Sequence, residues 1–330
     1  MGFLLLLVAF AVILGGALAF TNAVEWLGNK LSIGEGAVGS LLAAVGTAMP
    51  ETLIPIVAVI GGSAGAEDVA IGAIVGAPFL LATLAMLLVG VASHTYQGRR
   101  DQGKELEPHD ETVSRDIVLF LAFGTVGLLL GLGAPRWLHY AFVPVMLIAY
   151  GLYVRATLKS GGDTQEQETI NPLYLHRSAG DDPSMIRVLI QFIAALAAIF
   201  VGAQLFVTEL EEVAKSLGLE VIVLSLILAP LATELPEKIN SFIWTREGKD
   251  SLAMGNITGA MVFQTMIPVA FGLAATDWDL DRYAILSIIL GLGGGAVALY
   301  ALRRRGRFTR GAMLAWISLY GVFVAYVLLA

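Results

Sequence analysis

Apolar runs close to twenty residues long recur along the whole chain. Each is long enough to cross the ~30 Å hydrocarbon core of a bilayer as a helix. In lipid every backbone polar group must be satisfied within the protein, so a chain of this kind folds as a bundle of membrane helices. Composition agrees. Of 330 residues, 57% are hydrophobic and 14% charged, against about 25% charged in a soluble domain, and the mean hydropathy is +0.79. This excludes disorder and argues against a water-soluble globule. There is no cysteine, which excludes disulfides, thiolate metal sites and a cysteine nucleophile.

The sequence predicts an all-α polytopic membrane protein with ten helices, over roughly 2–20, 36–61, 68–94, 115–133, 137–157, 187–208, 218–245, 250–275, 282–302 and 311–329. The first ends in small residues near Ala17–Ala19, as a signal peptide does. No basic segment precedes it and no soluble domain follows, so it is read as a membrane helix. Of the 20 Lys and Arg residues, 16 fall in alternate loops, three (Arg136, Lys215, Arg282) fall in the others, and Lys238 lies inside a span. Basic residues favour the cytoplasmic side, so both termini are expected outside a cell membrane. Residues 95–114 and 158–186 are polar and read as solvated linkers; neither has the alternating acids of a calcium-binding EF-hand loop. The second divides the chain into a five-helix half over 1–157, a cytoplasmic linker over 158–186 and a five-helix half over 187–330.

The halves share motifs. Thr47-Ala48-Met49-Pro50-Glu51 and Thr233-Glu234-Leu235-Pro236-Glu237 both read T-x-x-P-E and lie 186 positions apart. Each is followed by a glycine-containing echo, Gly72-Ala73-Ile74-Val75-Gly76-Ala77 and Gly255-Asn256-Ile257-Thr258-Gly259-Ala260. A repeat with an odd number of spans enters the membrane from the opposite side the second time. The halves are therefore expected to be inverted repeats, an arrangement typical of secondary transporters, with a binding site near the midplane where broken helices meet.

Glu51 and Glu237 sit well inside apolar spans, where a charge costs about 2.5–3.5 kcal/mol. Two at equivalent positions point to a function that offsets this cost. The proline before each removes an N–H and displaces the carbonyl four residues upstream, at about Gly46 and Ala232. Thr47 and Thr233 lie one turn before the glutamates and share their face. Carboxylates, hydroxyls and carbonyls form an all-oxygen set that suits Ca²⁺ or Na⁺. Gln264 is a buried amide with an oxygen to offer; its counterpart is Leu81. Asn256 reads either as a ligand or as an interhelical hydrogen bond where Gly255 and Gly259 let backbones pack closely. Glu234 reads either as a ligand or as the helical ion-pair partner of Lys238. Glu67, Asp68 and Asp250 open two helices, where acids suit the dipole and would also draw cations to a vestibule. The four histidines, 94, 109, 139 and 176, fall near loops and read as interfacial or solvated.

On these residues the chain resembles the sodium/calcium exchanger family of the cation/calcium antiporter superfamily, whose repeats read G-T-S-x-P-E followed by G-N-x-x-G-S-N. Here those are Gly46-Thr47-Ala48-Met49-Pro50-Glu51 with Gly72-Ala73-Ile74-Val75-Gly76-Ala77-Pro78, and Ala232-Thr233-Glu234-Leu235-Pro236-Glu237 with Gly255-Asn256-Ile257-Thr258-Gly259-Ala260-Met261. The resemblance spans nearly the full length. It implies that Glu51 and Glu237 bind the transported cation with help from Thr47 and Thr233, and that the first and sixth helices slide or rock across the site. Ala48, Ala77, Ala260 and Leu81 stand where the family has side-chain oxygens, so fewer than three Na⁺ per divalent cation are expected.

The expected function is secondary antiport of Ca²⁺, or a related cation, against Na⁺ or H⁺. No resident cofactor is expected, and the partners are the lipid bilayer and inorganic cations, not nucleic acid. An H⁺-coupled divalent exchanger without Na⁺ dependence has a physical basis, because two carboxylates sharing a low-dielectric site favour proton uptake when the metal leaves. A non-transporting cation sensor descended from an exchanger is a further alternative. An intramembrane hydrolase would need a constellation such as H-E-x-x-H, which is absent. A passive channel has no need of inverted repeats around buried acids.

Overall fold

The computed structural model describes residues 2–30, 43–63, 65–101, 103–106, 110–160, 171–176 and 182–329. Side chains are described over these apart from 28, 43–50, 110–111, 158–160 and 236–237. The described residues form the helices α1 (Gly2–Lys30), α2 (Ala43–Gly61), α3 (Ala66–Leu80), α4 (Met86–Thr95), α5 (Asp110–Leu130), α6 (Arg136–Ser160), α7 (Met185–Leu217), α8 (Val221–Thr233), α9 (Leu235–Arg246), α10 (Asp250–Ala275), α11 (Arg282–Arg305) and α12 (Arg310–Leu329). A π-helical turn over Leu81–Ala85 joins α3 to α4. Among the described residues, eight helical stretches are long and apolar enough to cross a membrane, α3 and α4 counting as one. The two expected spans outside that set carry the T-x-x-P-E motifs: 36–61, described from residue 43, and 218–245, which is broken into α8 and α9.

Burial sorts the helices. The spans through α3–α4 and α10 are 78% and 72% buried, those through α6 and α12 only 11% and 17%. The helices that carry the glycine echoes, α3 and α10, are thus the axis of the bundle. Peripheral helices turn Trp137, Ile148, Ile186, Ile193, Leu314 and Leu328 outward, an apolar surface suited to lipid.

Two expected helices are longer than their apolar stretches. α1 continues past residue 20 because Phe20, Ala23 and Val24 stay buried, Phe20 and Val24 in a cluster with Ala195 and Ile199 of α7. α7 continues past 208 because Leu210, Val213 and Ala214 keep the i, i+3, i+4 stripe against the core. It stops at Gly218, which takes the left-handed conformation (φ 68°) that glycine adopts without strain.

Hydrogen bonds sort the loops into two ends. At one end Leu106 N–H donates to the Gly306 carbonyl (3.1 Å), Arg307 pairs with Glu105 (3.8 Å), and Arg100 binds Asp250 and the Thr245 carbonyl. At the other, Leu280 N–H donates to Gly131, Arg136 binds the Thr276 carbonyl and Asp277, Asp277 N–H donates to Glu67, and Arg282 pairs with Glu220 (3.2 Å). Three of the basic-rich loops thus touch one another, as do loops of the opposite group.

The 158–186 segment is not wholly a solvated linker. Residues 171–176 dock on α1 and α7, with Leu173 fully buried. Asn22 and Gln191, both nearly inaccessible, hold them: Asn22 donates to the Asn171 carbonyl (3.1 Å) and Gln191 Oε1 accepts from Leu175 N–H (2.9 Å). Gln191 Nε2 also donates to Asn22 Oδ1 and to the Ala19 carbonyl, both at 2.9 Å. Two buried amides are satisfied by this exchange, which gives the docking its specificity.

Candidate functional site

The second T-x-x-P-E motif breaks its helix. Pro236 has no N–H and its ring conflicts with the carbonyl four residues back, so the helix ends at Thr233 and restarts with Pro236 in the first turn. Glu234 is the joint (φ −98°, ψ 5°). The first motif lies within the continuous helix α2. Ile54, Val57 and Ala58, in the turns after Glu51, share a buried cluster with Ala229 and Ala232, just before the joint. The two motifs are thereby brought to one region of the core.

Glu51 is 6% exposed. Glu234 is fully buried; its Oε2 accepts from Lys238 Nζ at 2.6 Å and its Oε1 from Gln264 Nε2 at 2.8 Å. Lys238 is 5% and Gln264 2% exposed. Gln264 Oε1 is buried and accepts no hydrogen bond, so an oxygen donor is left available inside the bundle. Thr233 Oγ1 donates to the Ala229 carbonyl (3.2 Å), back-bonding within its own helix. Asn256 of α10 donates to Ser241 Oγ of α9 (3.0 Å), an interhelical contact. The side chains of Thr47 and Glu237 lie outside the described residues. Of the predicted set, the structure therefore joins Glu234 and Gln264 directly and buries Glu51 and Thr233. Among the described residues, no group of three or more His, Asp or Glu side chains is gathered as a metal site.

Several expectations are corrected. Close backbone packing at Gly255 and Gly259 is not found: nothing stands within 4 Å of a Cβ placed on Gly255, and only Tyr153 Oη, at 3.6 Å, near one on Gly259. The close crossing occurs instead at the first echo. A Cβ on Gly72 would meet Ser225 Cβ and one on Gly76 the Leu226 carbonyl. Pro230, four residues after Leu226 within α8, cannot donate to that carbonyl, and Ser225 Oγ donates to the Val69 carbonyl across the crossing (2.7 Å). Asp250 does not join Glu67 and Asp68 in a vestibule. It lies at the opposite end, held by both guanidinium nitrogens of Arg100 at 2.8 and 2.9 Å. His139 is buried rather than solvated and contacts the Leu130 carbonyl at 3.1 Å. His109 lies outside the described residues.

Asp116 is a buried acid that the sequence did not single out. Asp116 is 1% exposed; it accepts from Arg115 (3.0 Å) and from Thr258 Oγ1 (3.1 Å). Arg115 stacks over the Tyr153 ring, 4.9 Å from its centroid. In sequence Asp116 stands next to an arginine at the edge of a polar segment, where an acid is usually solvated. The one usable signal was Thr258, a hydroxyl in the middle of the second echo.

Comparison with known proteins places this geometry in context. The model of the sodium/calcium exchanger protein family matches residues 1–159 and 187–329. An uncharacterized membrane protein of Methanocaldococcus jannaschii is 22% identical over 311 residues, covering 93% of this chain and 91% of that protein. In three dimensions the fold is similar to the crystal structure of an H⁺/Ca²⁺ exchanger, CAX, with TM-score 0.75, 19% identity, and coverage of 99% of this chain and 82% of that one. It is also similar to the sodium-calcium exchanger NCX_Mj, with TM-score 0.61, 20% identity and 98% coverage of both chains.

Proposed function

This chain belongs to the sodium/calcium exchanger protein family, and from that footing we propose that it is a secondary active antiporter. It exchanges Ca²⁺, or a related divalent cation, for Na⁺ or H⁺ by alternating access. The observation that carries the reading is the placement of Glu51 and of the Glu234–Gln264 pair in the buried core where the two T-x-x-P-E elements converge. Glu51 and Glu237 neutralise the divalent cation. Thr47, Thr233 and Gln264 complete an oxygen shell, and Asn256 and Glu234 shape it from α10 and the α8–α9 joint.

The two five-helix halves, 1–157 and 187–330, are inverted repeats joined through the 158–186 segment. The reciprocal fit of α1 and α7, in which Ile199 covers Gly16 and Ile13 covers Gly202 at the same 186-residue offset as the motifs, supports that relation. The basic-rich end faces the cytoplasm and both termini face outside, in keeping with the bias of Lys and Arg.

Proton coupling is the second reading. It is favoured because Ala48, Ala77, Ala260 and Leu81 supply no side-chain oxygen and Glu234 is already occupied by Lys238 and Gln264, which leaves few ligands for Na⁺. Uptake of ⁴⁵Ca²⁺ into proteoliposomes under an imposed Na⁺ or pH gradient separates the readings. Uptake driven by either gradient supports antiport. Uptake that ignores both, or none at all, refutes it. Dependence on Na⁺ that is steeply cooperative and flat between about pH 6 and 8 would refute proton coupling.

A further inference from the structure

Three residues that form one cluster in the second half have no counterpart in the first. Glu234, Lys238 and Gln264 correspond to Ala48, Thr52 and Leu81 at the offsets of the two repeat elements. All three are more than nine-tenths buried. Each oxygen of Glu234 accepts a hydrogen bond, one from Lys238 Nζ and the other from Gln264 Nε2. This fixes the amide of Gln264, since the reversed amide would set its oxygen against a carboxylate oxygen. Gln264 Oε1 is thereby turned away from Glu234 and stays buried without a hydrogen bond. Leaving such an atom unsatisfied is unfavourable, a cost that a bound cation removes.

We propose that Lys238 is a tethered cation of the transport site. Its ammonium permanently fills the place beside Glu234 that a mobile monovalent ion would otherwise take. The inference rests on the antiporter reading and deepens it to a stoichiometry. Glu51, Glu237 and Glu234 carry three negative charges. Lys238 with one divalent cation neutralises them, and so does Lys238 with two monovalent cations. Exchange is then one divalent for two monovalents and moves no net charge. An exposed lysine would do none of this. It is the burial of Lys238, one residue from Glu237 in sequence and bonded to Glu234 four residues back, that puts its charge inside the site. Glu234 is a positioning residue here, holding both the ammonium and the Gln264 amide.

The test has two readouts. In proteoliposomes with a K⁺–valinomycin potential, wild-type ⁴⁵Ca²⁺ exchange is independent of voltage. Lys238→Met exposes a third carboxylate and makes exchange electrogenic by one charge, which shifts the exchange equilibrium by roughly fiftyfold per 100 mV. Voltage-dependent wild-type exchange overturns the proposal. In detergent, equilibrium binding of ⁴⁵Ca²⁺ to the purified protein needs no transport. Lys238→Met tightens it and Glu234→Gln weakens it, each by roughly tenfold, and the double variant lands between them. A pair that merely holds helices together would weaken binding in both single variants, which also overturns the proposal. Where Lys238→Met does not fold, Glu234→Gln decides alone: weaker binding supports the tether, unchanged or tighter binding removes it. A wild type that binds Ca²⁺ with this series of shifts but exchanges nothing keeps the tether and discards the antiporter.

Discussion

Ile199 lies over Gly16, its Cγ1 2.9 Å from where a Cβ on that glycine would stand, and Ile13 lies over Gly202 at the same distance. Isoleucine is 186 residues from isoleucine and glycine 186 from glycine. The contact is therefore reciprocal, with α1 and α7 each supplying one knob and one hole to their seam.

Filling either hole costs alike. Gly16→Ala meets Ile199 Cγ1 and the Ala195 carbonyl, and Gly202→Ala meets side-chain atoms of Ile13 and Val12 together with the backbone nitrogen of Ile13. Each is expected to lower stability by about 1–3 kcal/mol, read as thermal unfolding in detergent. A large loss in one variant and none in the other would break the equivalence of the two contacts.

In the proposed site Glu51 is one of the charges that neutralise the divalent cation, and Glu51→Gln removes it. A loss of about 3 kcal/mol of charge interaction corresponds to a drop of roughly a hundredfold in ⁴⁵Ca²⁺ affinity. The protein should still elute as a folded particle on size exclusion. Near-normal flux would take Glu51 out of the site.

Arg100 and Asp250 are 0% and 1% exposed at their side chains, and Arg100 also donates to the Gly103 and Glu105 carbonyls (2.9 and 2.7 Å). Removing either partner strands a buried charge. Arg100→Ala or Asp250→Ala is expected to cost about 3–5 kcal/mol. Replacing both should cost less than the sum of the single losses, and a thermodynamic cycle over the four proteins measures the difference.

Asp281 caps α11 by accepting from Ala284 N–H at 2.7 Å. Burial holds its carboxyl above the usual range, with Glu220 adding to the effect and the Ala284 N–H opposing it. Because the folded state prefers the protonated form, this group's stabilising contribution is present below the ordinary aspartate value and is lost as pH rises through the raised folded value. Asp281→Asn keeps a capping oxygen without the charge. It should unfold at or above the wild-type temperature at pH 7, whereas Asp281→Ala should lose about 1 kcal/mol. A lower melting temperature for Asp281→Asn at pH 7 than at pH 4, measured against wild type at each pH, would contradict this.

What could be read from the sequence was what depends on local pattern. The span α10 falls at 250–275 as expected from its apolar run; the helix breaks at Glu234, two residues before Pro236, although the matching Pro50 leaves α2 continuous. The Glu234–Lys238 pair needed only the i, i+4 geometry of a helix. What escaped depends on neighbours far along the chain. Arg100 and Asp250 are 150 residues apart, and each looked like an ordinary loop or helix-end charge. Asp116 is buried only because Thr258 and Arg115 converge on it. The glycine echoes look alike in sequence, yet only Gly72 and Gly76 meet another backbone, because only they face α8 and the carbonyl that Pro230 leaves open. The π-helical turn at Leu81–Ala85 has no local signal, but Gly294 presses against the Ala82 carbonyl there.

The docking of residues 171–176 redraws the machine. Asn22 and Gln191 hold the same short stretch of chain and each other, and α1 and α7 already share the buried clusters around Ile13 and Ile199. α1 and α7 are yoked to each other more firmly than to the helices that follow them. The order of the chain and the order of its packing therefore run along different lines: α1 and α7, far apart in sequence, form one unit, and the remaining helices, with the proposed cation site among them, pack around it.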